Sequence, residues 1–154
     1  MLICFCPYLI LPSFEKFRLE RNSKSILFDV GANSFFASSK ALIDSYSPYL
    51  TFDNVYLIEP DEAYKSVERS MKLPSTYQKK SNITFIKKMV RTGIRIINDR
   101  FVDVLTLLKG EVTVNDFVVL KYDVDEGASS GDTMEWGFLA DLLVDSDAPT
   151  IFLF

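Results

Sequence analysis

Three apolar runs in this chain each end on residues that can do chemistry. "ILFDV" (Ile26 to Val30) carries Asp29 and runs into Gly31, Ala32 and Asn33. "VYLI" runs into Glu59 and Pro60, and "FVVL" into Lys121, Asp123, Asp125 and Glu126. A glycine after an apolar run allows a tight turn and close approach of backbone to a ligand. An ionised carboxylate accepts hydrogen bonds only, so Glu59 suits the paired hydroxyls of a ribose. Glu59 lies thirty residues beyond Asp29, the placement of the ribose-binding acid after the second strand of nucleoside-binding α/β folds. Asp123 is a candidate general base, with Lys121 as an electrostatic partner. A second chemistry uses Asp123 and Asp125 as an Asp-x-Asp pair holding Mn²⁺ or Mg²⁺ against a sugar-nucleotide diphosphate, since hard cations take oxygen ligands.

Other chemistry is excluded. The chain has no histidine, which removes Ser-His-Asp and Cys-His catalysis and histidine-ligated zinc. Its two cysteines, Cys4 and Cys6, are one residue apart and give neither a zinc site nor a disulfide framework. A net charge of −4 gives no overall basic character and argues against nucleic acid as a partner. Charge is nonetheless uneven: Lys79 to Arg100 is basic apart from Asp99, and Asp123 to Asp147 carries only acids. Both stretches read as solvated surfaces, the acidic one with a cation-site rim as its alternative.

Strands alternating with helices must position these groups. "ILFDV" reads as the first strand, followed by a helix with Ser34 as its cap, Phe35 or Phe36 opening its buried face, and an end near Tyr46 before Pro48. Asp53 to Pro60 is a second strand, and the helical spacing of Tyr64, Val67 and Met71 predicts a helix that stops at Pro74. Asn82 to Val90 reads as a third strand. Ile94, Ile97, Phe101, Val104 or Leu105, and Leu108 predict an amphipathic helix ending at Gly110. Asp116 to Gly127 reads as a fourth strand, apolar from Phe117 to Leu120 and then acidic, Met134, Phe138, Leu142 and Leu143 form a helix face, and "APTIFLF" closes the chain as a fifth strand. Trp136 is expected to pack at the core or its rim. This order predicts an α/β domain with a doubly wound, mostly parallel sheet of about five strands and helices on both faces. In such a sheet ligands bind outside the carboxyl ends of the strands, which is where the polar groups fall.

"FDVGAN", then "YLIEP", then "VVLKYDVDEG" resembles the FkbM-type methyltransferases of the class I S-adenosylmethionine-dependent superfamily. The family shows an Asp-Val-Gly-Ala-Asn turn, a Glu-Pro after strand two, and a Lys-x-Asp-Val-Glu-Gly segment after strand four. The resemblance covers Ile26 to Gly127 and implies a Rossmann-like fold with S-adenosylmethionine as cofactor. It implies that Asp29, Gly31, Ala32 and Asn33 border the methionine part, that Glu59 with Pro60 holds the ribose, and that Asp123, assisted by Lys121, faces the acceptor. The implied reaction is methyl transfer to an oxygen of a sugar or small-molecule acceptor.

The sequence departs from that pattern in three places. Phe35 stands where the family turn carries a second glycine, "DVDEG" is one residue longer than its counterpart, so that Asp125 or Glu126 replaces the family Glu, and the last strands of the full fold are missing. The expected division is an apolar amino-terminal segment over 1–24 and a methyltransferase-type domain over 25–154, incomplete at its carboxyl end. The alternatives are the metal-dependent glycosyltransferase and a non-catalytic, truncated methyltransferase-like domain. The first dozen residues are apolar but too short to span a bilayer and lack a basic leader, so no clear membrane span is expected. A cytoplasmic location fits, as does a membrane-anchored or Golgi-type one on a longer amino end. No motif bears on oligomeric state.

Overall fold

The structure is a computed structural model that describes residues 23–32, 35, 38–60, 75–91, 99–124, 134–144 and 151–153. The described elements are β1 (Ser25–Val30), α1 (Ser39–Tyr46), β2 (Asn54–Ile58), α2 (Ser75–Gln78), β3 (Asn82–Ile86), β4 (Met89–Arg91), β5 (Phe101–Asp103), α3 (Val104–Glu111), β6 (Phe117–Tyr122), α4 (Met134–Val144) and β7 (Ile151–Leu153). Five strands form one sheet in the order β3-β2-β1-β6-β7, every neighbouring pair parallel. β4 and β5 form a separate parallel pair. The chain is thus an α/β protein built on a parallel sheet.

The burial pattern explains the composition of the strands. Every residue of β1 is buried, as are Val55 to Ile58 of β2 and Phe117 to Leu120 of β6, so these strands read as continuous apolar runs. Edge strand β3 is only half-buried and alternates. Successive side chains point to opposite faces. Ile26, Phe28 and Val30, with Tyr56, Ile58, Val118 and Leu120, pack against Val104 and Leu108 of α3 and Phe138 and Leu142 of α4. Leu27, with Val55, Leu57, Phe117 and Val119, packs on the other side with Phe35, Tyr46, Leu50 and Phe52. Stacked ring pairs Phe28–Tyr56 (centroids 4.7 Å apart) and Tyr122–Phe138 (4.6 Å) lie in the first layer.

Several elements differ from the sequence reading. The third strand breaks after Ile86: Lys88 N–H donates to the Ile86 carbonyl (3.0 Å), and Met89 to Arg91 turns away to pair with Phe101 to Asp103. Phe101 is therefore a strand residue, and the helix starts only at Val104, because Asp103 caps it by accepting from Leu105 N–H (3.0 Å). That helix runs one residue past Gly110, to Glu111, and the strand expected from Asp116 to Gly127 is shorter, Phe117–Tyr122, ending before Asp123 and Val124. α1 begins at Ser39, so Phe35 precedes the helix, though it is buried as expected of an aromatic at that position. α2 is an additional short helix just beyond Pro74. Trp136 and Leu143 are exposed rather than packed. The amino-terminal segment through residue 22, the helix expected after Pro60, and Ser34 and Phe36 lie outside the described residues. Among the described residues, no helix is long and apolar enough to cross a membrane.

Candidate functional site

The strand order reverses between β1 and β6, which leave the sheet side by side with β2 on the far side of β1. Ligand crevices of open parallel sheets form at such a reversal. The register sets Asp29 opposite both Leu57 of β2 and Lys121 of β6. Past the last pair, Gly31 and Ala32 N–H both donate to the Ile58 carbonyl (3.0 and 3.2 Å), and Asp123 N–H donates to the Val30 carbonyl (3.0 Å). The ends of three neighbouring strands are thereby tied together. Glu59 begins one peptide bond from the carbonyl that receives Gly31, and its own N–H donates to the Ile86 carbonyl of β3 (3.1 Å).

Gly31 is required by this geometry. Its φ is +78°, in the left-handed region, and a Cβ there would lie 1.7 Å from the Asp123 carbonyl oxygen. The glycine lets the ends of β1 and β6 close on each other.

Lys121 organises the polar groups. Its ammonium lies 3.2 Å from Asp29 Oδ1, 3.3 Å from the Gly31 carbonyl oxygen and 3.3 Å from Asp123 Oδ2. An ammonium has three donors, and these three oxygens match them. Asp29 is 0% exposed, and its other oxygen accepts from the Ser38 (2.7 Å) and Ser39 (2.5 Å) hydroxyls. A buried carboxylate is tolerated when it is paired and hydrogen-bonded in this way. The Ser38 hydroxyl is drawn to Asp29 and makes no cap bond to α1, although Ser38 holds the cap position. In contrast Asp123 is 64% exposed, the open end of a relay that runs inward through Lys121 to Asp29.

Of the residues singled out by sequence, Asp29, Gly31, Lys121 and Asp123 come into direct contact, and Ala32, Glu59 and Pro60 follow on the adjoining strand ends. Asn33, Asp125 and Glu126 lie outside the described residues. Sequence reading missed Ser38 and Ser39; their hydroxyls nine and ten residues after the strand-end acid Asp29 were the available signal. Phe35 sits in the core beneath this end, edge-on to Tyr77 with ring centroids 5.2 Å apart.

A separate cavity of about 190 Å³ lies between α1, α2 and the segments leading into β2 and β3, lined by Ile43, Asp44, Leu50, Thr51, Tyr77 and Lys80 among others. There Tyr77 donates its hydroxyl proton to Asp44 (2.6 Å), which also pairs with Lys40. Hydrogen bonds from Lys40 and then Tyr77 hold the Asp44 carboxyl below its usual range. Among the described residues no group of three or more Cys, Asp or Glu side chains is placed to hold a metal ion.

Comparison with protein-family models, with curated proteins and with solved structures gave no match for this chain.

Proposed function

We propose that the chain is a Rossmann-like, methyltransferase-type domain that binds S-adenosylmethionine at the carboxyl ends of β1, β2 and β6 and methylates a hydroxyl of a sugar or small-molecule acceptor. The observation that carries this reading is the reversal of strand order between β1 and β6, whose ends Gly31 at positive φ lets close together, with an acid after β2 and an exposed acid after β6. Glu59 would accept from the ribose hydroxyls, with Pro60 ending the strand beside it. Gly31, Ala32 and Asn33 would border the methionine part. When bound, the cofactor supplies an activated methyl group on a sulfonium, already a good leaving group.

The protein's work is then to orient the acceptor and accept its proton. Asp123 is exposed enough to meet an acceptor hydroxyl, and Lys121 holds one of its oxygens, leaving the other for the proton. Asp29 is closed to solvent, so its part is to fix Lys121 rather than to touch a ligand. The ammonium against Asp123 also speaks against the metal-dependent glycosyltransferase reading, because it puts a positive charge where the cation would bind. The burial of Asp29 favours a second reading, a non-catalytic domain that keeps the relay for stability alone.

Titration calorimetry with S-adenosylmethionine and with its demethylated product separates the two. Micromolar binding that weakens by about 1–3 kcal/mol in Glu59→Ala is expected, since a buried acceptor removed from a hydrogen-bonded site costs about that much. No heat at millimolar ligand gives the non-catalytic reading, and unchanged affinity in Glu59→Ala removes Glu59 from the site.

A further inference from the structure

One face of α4 is buried through Phe138 and Leu142. Another is apolar and open: Trp136 is 72%, Leu143 59% and Val144 87% exposed, with Ala140 also exposed. Positions 136, 140, 143 and 144 follow the i, i+4, i+7, i+8 spacing, so they form one continuous stripe on the helix. A tryptophan, a leucine and a valine aligned on an exposed helix face form the kind of patch that marks an interaction site rather than scattered surface residues.

Charge decides what the stripe takes. Lys121 is the last basic residue of the chain, and Asp123, Asp125, Glu126, Asp132, Glu135, Asp141, Asp145 and Asp147 follow it. The stripe therefore belongs to a segment with eight acids and no base, and exposed Asp141 lies on α4 itself. An anionic lipid surface would be repelled by that charge, and two identical stripes laid together would bring like charges into contact. A basic amphipathic helix satisfies both parts, its apolar face on Trp136, Leu143 and Val144 and a cation on exposed Asp141 of the same helix. We propose that the Trp136–Ala140–Leu143–Val144 stripe of α4 docks a basic amphipathic helical segment of a partner protein.

Trp136 is the chain's single tryptophan, so its emission reports on the stripe directly. The probes are a synthetic leucine–lysine peptide patterned at helical spacing, its leucine–glutamate counterpart, and vesicles of equal parts phosphatidylcholine and phosphatidylserine. The basic peptide should shift Trp136 emission to the blue in a saturable manner that weakens with added salt, and the other probes should leave it unchanged. Leu143→Ser with Val144→Ser should weaken peptide binding at least tenfold while far-ultraviolet circular dichroism stays as in the parent, because both side chains are exposed. Four results would overturn the assignment: no shift with the basic peptide; an equal shift with the acidic peptide or the vesicles; full binding by the double variant; or a blue emission that moves to the red on diluting the protein alone, which would make the stripe a contact between copies.

Discussion

At the scale of single residues one buried ion pair ties β1 to β6. Asp29 is fully buried and Lys121 is 19% exposed, so each removes from the other most of the cost of leaving water. Lys121→Met should destabilise the fold by about 3–5 kcal/mol, the range for breaking a buried pair and stranding one charge. Lys121→Met combined with Asp29→Asn should recover part of that loss, because the second change removes the stranded charge. Urea unfolding of the two single variants and the double variant measures the coupling. Additive losses would mean that the 3.2 Å contact contributes nothing of its own. Asp29 and Lys121 were legible as chemistry-bearing residues from their places at strand ends. Their direct pairing was not, because it depends on the register between strands 92 residues apart. Acids of the same type at the opposite end do structural work. Asp116 accepts from Lys24 N–H (3.0 Å), Thr113 N–H (2.8 Å) and the Thr113 hydroxyl (2.9 Å), and Asp53 accepts from Ser25 N–H (2.7 Å).

At the scale of elements, the mostly apolar runs of β1, β2 and β6 were legible because a strand covered on both faces has few polar positions to disguise it. Helix starts were harder to read. Apolar residues at helical spacing from Ile94 through Leu108 suggest one helix, but the pattern counts Phe101, which belongs to β5. A local signal marks the true start: Asp103 stands before Val104, Leu105 and Thr106 and accepts from the Leu105 N–H and the Thr106 hydroxyl (2.9 Å). Asp103→Ala should lower stability by about 0.5–2 kcal/mol through loss of this cap, and Asp103→Asn should keep most of it. Thermal unfolding of both variants tests the assignment; equal losses would show that charge, not capping, is what Asp103 contributes. At α1 the same kind of signal misleads. Ser34 was the apparent cap, yet the helix begins only at Ser39, and Ser38 and Ser39 turn their hydroxyls to Asp29 instead. Local capping preference yields there to a buried charge that needs donors.

At the scale of the whole molecule, two apolar layers meet across one sheet, and a hydrogen bond reaches from the sheet to the end of a covering helix. Tyr56 of β2 stacks on Phe28 and donates its hydroxyl proton to Glu111 at the end of α3 (2.6 Å). Burial first, and then the hydrogen bond to Glu111, push the Tyr56 hydroxyl up to about 12. A raised pKa in the folded state means that the native protein holds this proton more tightly than the unfolded chain does. The stability it contributes is complete below the ordinary tyrosine value of 10.0 and is lost as pH rises from there to about 12. Above that range a phenolate would face the Glu111 carboxylate between sheet and helix, and α3 would be pushed from the layer it covers. Other tyrosines and the lysines titrate in the same interval, so the informative quantity is the difference between parent and Tyr56→Phe. The variant lacks the ionising group and should lose less stability than the parent between pH 9.5 and pH 11.5, roughly the window that straddles the two states' titration. At neutral pH it should be weaker than the parent by about 0.5–1.5 kcal/mol for the missing hydrogen bond. Urea midpoints across the alkaline range measure both effects. Parallel curves for parent and variant would mean that the Tyr56 proton is no harder to remove in the fold than in the free chain, and that α3 is held on the sheet by its apolar contacts alone.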